Sequence, residues 1–95
     1  MSTPESRVKT KIRAELMRRG IYHFCPATGG YGRSGVPDIV GCYRGDFFAI
    51  ECKSGDNKPT ALQERELQSI RDAGGTACVI NENNLDQLIE WLDGV

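Results

Sequence analysis

The chain has 95 residues, of which 39% are hydrophobic and 26% are charged, and its formal net charge is −1. A chain of this length can bury one core and no more, so a single domain over residues 1–95 is predicted. No apolar run approaches the roughly 20 residues that span a bilayer, and the N-terminus lacks a signal-peptide apolar region, which together predict a soluble, cytoplasmic protein.

The first predicted element is a helix that begins at Thr3 and ends at Gly20. Thr3 suits the N-cap, and Pro4 suits the first helical position. Apolar residues recur at helical spacing at Val8, Ile12 and Leu16. The basic residues of this helix are Arg7, Lys9, Lys11, Arg13, Arg18 and Arg19. Their density indicates either a phosphate-binding surface or a solvated helix with basic residues all round it.

A short strand, Ile21–Cys25, and a glycine-rich loop over residues 26–35 are predicted to follow the helix. The loop lacks the GxxxxGK[ST] pattern of a P-loop, so we do not interpret it as a nucleotide cradle. It is either a mobile substrate-contacting loop or a plain connection. Arg33 is the one charged residue of the loop.

Two apolar runs, Val36–Tyr43 and Phe47–Lys53, flank Arg44-Gly45 and are predicted to form a β-hairpin. A two-residue loop at this turn sets a register in which Asp38 lies directly opposite Glu51. A slip of one residue would turn the two carboxylates to opposite faces of the sheet. The geometric prediction therefore depends on the turn.

The hairpin register predicts a metal site. Directly opposed side chains lie about 5 Å apart between Cβ atoms, and two carboxylates there repel each other unless a cation or a proton separates them. Because side chains alternate along a strand, Glu51 and Lys53 share a face. Two acids and an amine together suggest a metal-dependent phosphodiesterase. In the alternative, Asp38 caps a turn after Pro37, and Glu51 and Lys53 are solvent-facing strand residues.

A second helix is predicted to begin at Thr60 and to end at Gly74-Gly75. Gln63 has the spacing of a capping box with Thr60, so its side chain either points inward or caps the helix. Thr76–Ile80 is predicted as a strand parallel to the one before it, because a helix connects the two. The last predicted helix is Leu85–Leu92.

Asn83 or Asn84 is the expected cap of the last helix, and Trp91 either packs on the body of the domain or lies in a subunit contact. The element order α-β-β-β-α-β-α predicts an α/β fold in which helices flank a small mixed sheet.

The cysteines have no CxxC spacing, and each falls within a predicted strand: Cys25, Cys42, Cys52 and Cys78. Buried free thiols are predicted rather than disulfides or zinc ligands.

These residues resemble the PD-(D/E)XK nucleases, and within them the small VRR-NUC domains and the archaeal-type Holliday-junction resolvases. The resemblance covers most of the chain. It rests on the N-terminal helix with Glu5, the glycine-rich loop, the segments Gly35-Val36-Pro37-Asp38-Ile39 and Phe48-Ala49-Ile50-Glu51-Cys52-Lys53, and Gln63 downstream of Pro59-Thr60. It implies a restriction-endonuclease-like core and a single VRR-NUC-like nuclease domain over residues 1–95.

The resemblance also implies roles for individual residues. Asp38 and Glu51 look like the carboxylates that hold a catalytic Mg²⁺ or Mn²⁺, with the backbone carbonyl of Cys52 as a further ligand. Lys53 looks like the residue that orients or activates the attacking water and offsets the charge that develops on the phosphate. Metal ions at such a site would supply the nucleophile and relieve negative charge at the scissile phosphate.

Two further positions complete the implied site. Gln63 resembles a downstream glutamine that helps to position Lys53 or the phosphate. Glu5 is the candidate for a helix carboxylate that completes the acidic site directly or through water, with Glu15 on the same helix as the alternative.

The implied function is that of a metal-dependent DNA endonuclease, selective for Holliday junctions or other branched DNA. A symmetric homodimer would match the twofold symmetry of a four-way junction. The alternatives are a flap, nicking or restriction-like nuclease guided by a partner, and a catalytically silent DNA-binding module of the same fold. The expected DNA-contacting residues are Lys9, Lys11, Arg33 and Lys58.

Overall fold

The computed structural model describes residues 3–27 and 32–94. Its elements are α1 (Pro4–Arg18), β1 (Tyr22–Phe24), β2 (Ile39–Tyr43), β3 (Asp46–Cys52), α2 (Ala61–Asp72), β4 (Thr76–Ile80) and α3 (Leu85–Leu92). This is the predicted order α-β-β-β-α-β-α in a mixed α/β fold. None of the helices in the described part of the chain is long and apolar enough to cross a membrane.

Helix α1 begins as predicted, with Thr3 at the N-cap. The Thr3 hydroxyl accepts from the Ser6 backbone N–H at 3.0 Å, and the Ser6 hydroxyl accepts from the Thr3 N–H at 2.8 Å. These two bonds satisfy donors that the first helical turn leaves without partners. The predicted apolar stripe is buried, at Val8, Ile12 and Leu16. This stripe packs α1 against the sheet, and the basic residues of the helix lie on its other faces, toward the surface.

The hairpin turn has the predicted form. Arg44 and Gly45 both have positive φ, 53° and 86°, as a two-residue type I′ turn requires. The register is the predicted one, from Tyr43 opposite Asp46 to Ile39 opposite Ile50. The turn conformation therefore sets which face every side chain of the hairpin occupies.

The predicted bounds of β4 are confirmed, whereas β1, β2 and β3 have ends that differ from the prediction by one to three residues. Strand β2 begins at Ile39 and not at Val36, because Pro37 has no N–H to donate to a ladder. Strand β3 runs from Asp46 to Cys52, and β1 omits the predicted ends Ile21 and Cys25. Asp38 consequently lies just before β2 and connects to β3 through its side chain.

The sheet has the order β1-β2-β3-β4, with antiparallel neighbours except for the parallel pair β3 and β4. One face of β3 carries Phe48, Ile50 and Cys52, and it packs in the core with residues of α1 and α3. Ala49 and Glu51 alternate with them and face the other side, where both are buried. Phe47 shares that side and lines a groove with residues of α2. The predicted parallel direction of β4 is confirmed.

Helix α3 has the predicted bounds, and one of the two predicted residues occupies its N-cap. Asn84 occupies the N-cap position without a side-chain cap bond. Its side chain instead donates to the Val79 carbonyl at 2.9 Å and accepts from the Asn81 N–H at 2.7 Å. Trp91 packs on the body of the domain, with its ring 5.2 Å from Tyr43 and 5.8 Å from Phe48. These contacts hold the C-terminal helix against the sheet.

The four cysteines are free, as predicted. The prediction that all are buried is confirmed for Cys52, whereas Cys25 and Cys78 are only partly buried and Cys42 is exposed. The register pairs Cys42 with Tyr22 on one side and Phe47 on the other, and both of these side chains are largely exposed. This part of the sheet face has no helix over it in the described chain, so the thiol reaches the surface.

Candidate metal centre

Asp38 is tied to the end of β3 by its side chain. Its Oδ2 accepts a hydrogen bond from the Cys52 backbone N–H at 2.8 Å. Backbone pairing between β2 and β3 ends at Ile39 and Ile50. The side-chain bond of Asp38 therefore connects the two segments one residue beyond the last backbone pair. The carboxylate of Asp38 is thereby held at the carboxyl end of β3, beside Glu51.

Glu51 is a buried carboxyl group, with 2% of the residue exposed. Burial, followed by the charge of Asp38, raises the pKa of Glu51 to about 7, although Lys53 acts in the opposite direction. Its Oε1 atom is buried and has no hydrogen-bond partner among the described residues. A buried acceptor without a partner is costly, and a cation or a proton would satisfy it.

Lys53 lies on the same face as Glu51, as the alternation of side chains predicted. Its Nζ is 3.4 Å from Glu51 Oε2, and its side chain is only 11% exposed. The Lys53 backbone N–H donates to the Ile80 carbonyl at 3.0 Å, which anchors the residue to β4 just past the end of β3. The ammonium group is thus positioned by the sheet.

The donor set fits a hard divalent cation. Carboxylate and carbonyl oxygens are the ligands that Mg²⁺ and Mn²⁺ prefer, and the unpartnered Glu51 oxygen is a vacant acceptor. No group of three His, Cys, Asp or Glu side chains that could hold a metal occurs within residues 3–27 and 32–94. A cation here would therefore depend on Asp38, Glu51, backbone oxygens and waters.

The Cys52 thiol is unsuited to this site. Its side chain packs in the core on the opposite face from Glu51, and the residue is fully buried. Burial, with added repulsion from Asp38 and Glu51, raises the pKa of the thiol and keeps it protonated. The backbone of Cys52 contacts the candidate centre through its N–H, which donates to Asp38, and the role of its carbonyl as a metal ligand stays a prediction.

The two carboxylates of α1 lie in different surroundings. Glu15 is paired with Arg18 at 2.5 Å and with Arg19 at 2.7 Å, and these bonds lower the pKa of Glu15 to about 2. Glu5 is half-buried in the first helical turn, and its charge acts on the Cys52 thiol. Glu15 is therefore engaged in ion pairs on its own helix, and the assignment of Glu5 to the site stays a prediction.

The side chain of Gln63 caps α2. The Gln63 side-chain Oε1 accepts from the Thr60 backbone N–H at 2.9 Å, and the Gln63 backbone N–H donates to the Thr60 hydroxyl at 3.2 Å. This is the capping box that its spacing from Thr60 allowed. Gln63 is half-buried, so part of its side chain remains accessible to solvent.

The basic residues expected to contact DNA differ in their surroundings. Arg33 donates through Nε and Nη2 to the two carboxylate oxygens of Glu66, at 3.1 and 2.9 Å. Lys11 is exposed and lines a groove of about 240 Å³ between α1 and the turn before α3. Lys58 is exposed and Lys9 half-buried. The pairing of Arg33 with Glu66 was not predicted from the sequence, because no spacing rule links residues 33 positions apart.

Comparisons with known proteins indicate the family of this chain. The sequence profile of the archaeal Holliday junction resolvase (Hjc) family matches residues 11–77, a range that contains Asp38, Glu51, Lys53 and Gln63 but not Glu5. A search of curated proteins found no match.

One solved structure similar to this chain is Hjc, a Holliday junction resolvase from the archaeal hyperthermophile Archaeoglobus fulgidus, with 25% sequence identity and a TM-score of 0.60. The similarity covers 80% of this chain, which matches 66% of the length of that resolvase. The predicted resemblance to the resolvases is confirmed, and the VRR-NUC-like character stays a prediction. The family match covers well over half of the chain, and the chain belongs to the archaeal Holliday junction resolvase (Hjc) family.

Proposed function

We propose that this protein is a divalent-metal-dependent endonuclease that cleaves branched DNA, with the four-way Holliday junction as its principal substrate. The observation that carries the proposal is the arrangement of Asp38, Glu51 and Lys53 at one end of the sheet, with a buried Glu51 oxygen that has no partner among residues 3–27 and 32–94. The arrangement lies within the region that matches the resolvase family. Family membership supports the substrate class.

Asp38, Glu51 and the Cys52 carbonyl would hold Mg²⁺ or Mn²⁺. When bound, the cation would supply an activated water and relieve negative charge at the scissile phosphate. The two carboxylates would make the site negative enough to attract the ion, and the burial of Glu51 near the charge of Asp38 disfavours the charged form of Glu51 when no ion is bound.

Three side chains would act without binding the cation directly. Lys53 places a nearly buried ammonium beside Glu51, where it would orient the attacking water and offset charge on the phosphate. Glu5 would reach the site through water, because the described residues form no three-carboxylate group. Gln63 would use its amide group to position Lys53 or the phosphate while its oxygen caps α2.

The experiment that tests this function is a cleavage assay on a four-way junction, a flap and a linear duplex. We expect cleavage of the junction in preference to the other two, with Mg²⁺ or Mn²⁺ and not with EDTA. Preference for the flap would favour a partner-guided flap nuclease. Absence of cleavage of every substrate in both metals, with junction binding retained, would favour a silent DNA-binding module.

A homodimer would account for junction selectivity, and the sheet offers a surface for it. The aromatic face consists of Tyr22, Phe24 and Phe47, which are 69%, 49% and 48% exposed. The strand register places all three side chains on the same side of the sheet, beside exposed Cys42. Contiguous exposed aromatic surface marks interaction sites. A second copy docked here would relate two active centres by a twofold axis, as the junction's symmetry requires.

The double variant Tyr22→Ser, Phe24→Ser should convert a dimer to a monomer and remove the preference for junctions over linear DNA. The reason is that the two active centres would no longer be held in a fixed relation. Light scattering reports the mass, and the ratio of junction to duplex cleavage reports the selectivity. Met17→Ser is the control, because Met17 is 66% exposed but lies on α1. A monomeric wild-type protein that cuts both DNAs equally would refute the dimer.

Phosphate contacts would come from lysines rather than from Arg33. Lys11 is exposed, and no ion pair to it, to Lys9 or to Lys58 occurs within residues 3–27 and 32–94. Arg33 already uses two of its donors on Glu66. Because contacts of this kind release counterions from DNA, binding should weaken as salt rises.

A further inference from the structure

The segment that leads into Asp38 is attached to α2 at two points. At Gly35, a Cβ atom would lie 2.8 Å from the backbone C and O atoms of Leu62, so the two backbones touch there. One helical turn further along α2, the two carboxylate oxygens of Glu66 accept from Arg33 at 3.1 and 2.9 Å. The segment therefore lies against α2 immediately before Asp38.

The ion pair has one exposed and one sheltered member. The Arg33 side chain is 76% exposed, whereas that of Glu66 is only 16% exposed. A single-contact pair at the surface contributes little, but a bidentate arginine–carboxylate pair fixes orientation as well as distance. Glu66 lies on α2, which packs against β4, so the position of Glu66 is set by the body of the domain.

Asp38 requires such a restraint when no cation is bound. The charge of Asp38 is near enough to the buried Glu51 carboxyl group to raise the pKa of Glu51, and two ionised carboxylates so placed repel each other. Residues 36–38 belong to neither a helix nor a strand. The segment is held by the bond from the Cys52 N–H to Asp38, by the burial of Pro37 and by the attachment of residues 33–35 to α2.

We propose that Glu66 is a positioning residue: its bidentate pair with Arg33 clamps residues 33–37 against α2 and keeps Asp38 at the Cys52 N–H and beside Glu51. The clamp preorganises the carboxylate pair before any cation arrives. Arg33 then serves the candidate centre through the backbone that follows it, not as a free phosphate ligand. The inference rests on the proposed function only in naming Asp38 as a metal ligand.

The test is amide hydrogen exchange in the metal-free protein, in which NMR measures the exchange rates of the Cys52 and Lys53 backbone amides. The Cys52 N–H donates to the Asp38 side chain, whereas the neighbouring Lys53 N–H donates to the Ile80 backbone. In Glu66→Gln we expect exchange at Cys52 to accelerate about tenfold or more, with Lys53 unchanged. Arg33→Gln should act in the same way.

The matched control is Arg18→Gln, which breaks another exposed ion pair, to Glu15. It should leave both amides unchanged. Unchanged exchange at Cys52 in Glu66→Gln would overturn the proposal. Equal acceleration at Cys52 and Lys53 would also overturn it, because that result reports general loosening of the sheet.

Titration with Mn²⁺ separates this inference from the proposed function. We expect Glu66→Gln to bind Mn²⁺ several-fold more weakly than the wild-type protein, because the ligand pair is no longer preorganised. Faster exchange at Cys52 with unchanged Mn²⁺ affinity would leave the clamp standing and would count against Asp38 as a metal ligand.

Discussion

Replacing Asp38 with Asn should lower DNA cleavage by about a thousand-fold or more while leaving the fold intact. Asparagine retains a side-chain oxygen that can accept from the Cys52 N–H, so the 2.8 Å bond to β3 has a direct replacement. What the variant loses is the negative charge that would help to hold a divalent cation beside Glu51. The measurement is the single-turnover rate of junction cleavage at saturating protein.

The matched control for this variant is Asp46→Asn. Asp46 lies at the other end of β3, in the hairpin turn, and it should tolerate the change without loss of cleavage. Junction binding in EDTA should be at least as tight for Asp38→Asn as for the wild-type protein, because a negative charge has been removed. Undiminished cleavage by Asp38→Asn would end the assignment of the metal centre.

The metal-free protein should lose stability as the pH rises from about 5 to above 7. Glu51 has its pKa raised from 4.5 to about 7 in the folded state. Between these values the folded chain retains a proton that the unfolded chain has released, so rising pH favours unfolding. The loss is complete once the pH passes the folded-state pKa, and it is at most about 3 kcal/mol in the free energy of unfolding.

Chemical denaturation in EDTA across this pH range measures the effect, and Glu51→Gln isolates it. The variant carries no titratable group at this position, so its stability should vary much less between pH 5 and 8. Mg²⁺ or Mn²⁺ should restore stability to the wild-type protein at the upper end, because a bound cation stabilises the charged carboxylate. An identical pH dependence in wild type and Glu51→Gln would contradict the burial of an ionisable Glu51.

Much of the fold follows from short-range rules that can be applied to the sequence. Thr3 and Thr60 cap their helices as predicted, because a cap requires only residues three positions apart. The hairpin register was predicted from the turn, since Arg44-Gly45 determines every pair that follows. The common face of Glu51 and Lys53 was predicted because side chains alternate along a strand and these residues are two positions apart.

The strand ends and several side-chain environments did not follow from these rules. Cys42 was expected to be buried, but whether a strand face is covered depends on where the helices pack. The position of Trp91 was open for the same reason, and only its contacts with Tyr43 and Phe48 decided it. Glu15 pairs with Arg18 and Arg19, and the role of Glu5 at the site stays a prediction.

The sequence by itself determined the helix caps, the hairpin register and the common face of Glu51 and Lys53, because each depends on local backbone geometry. The tertiary structure alone decided that Asp38 bonds to the Cys52 N–H, that Glu51 is buried, and that Glu66 holds Arg33. The physical reason is that burial and long-range pairing arise when separate elements pack together. No periodicity within one element encodes which residues meet across that packing.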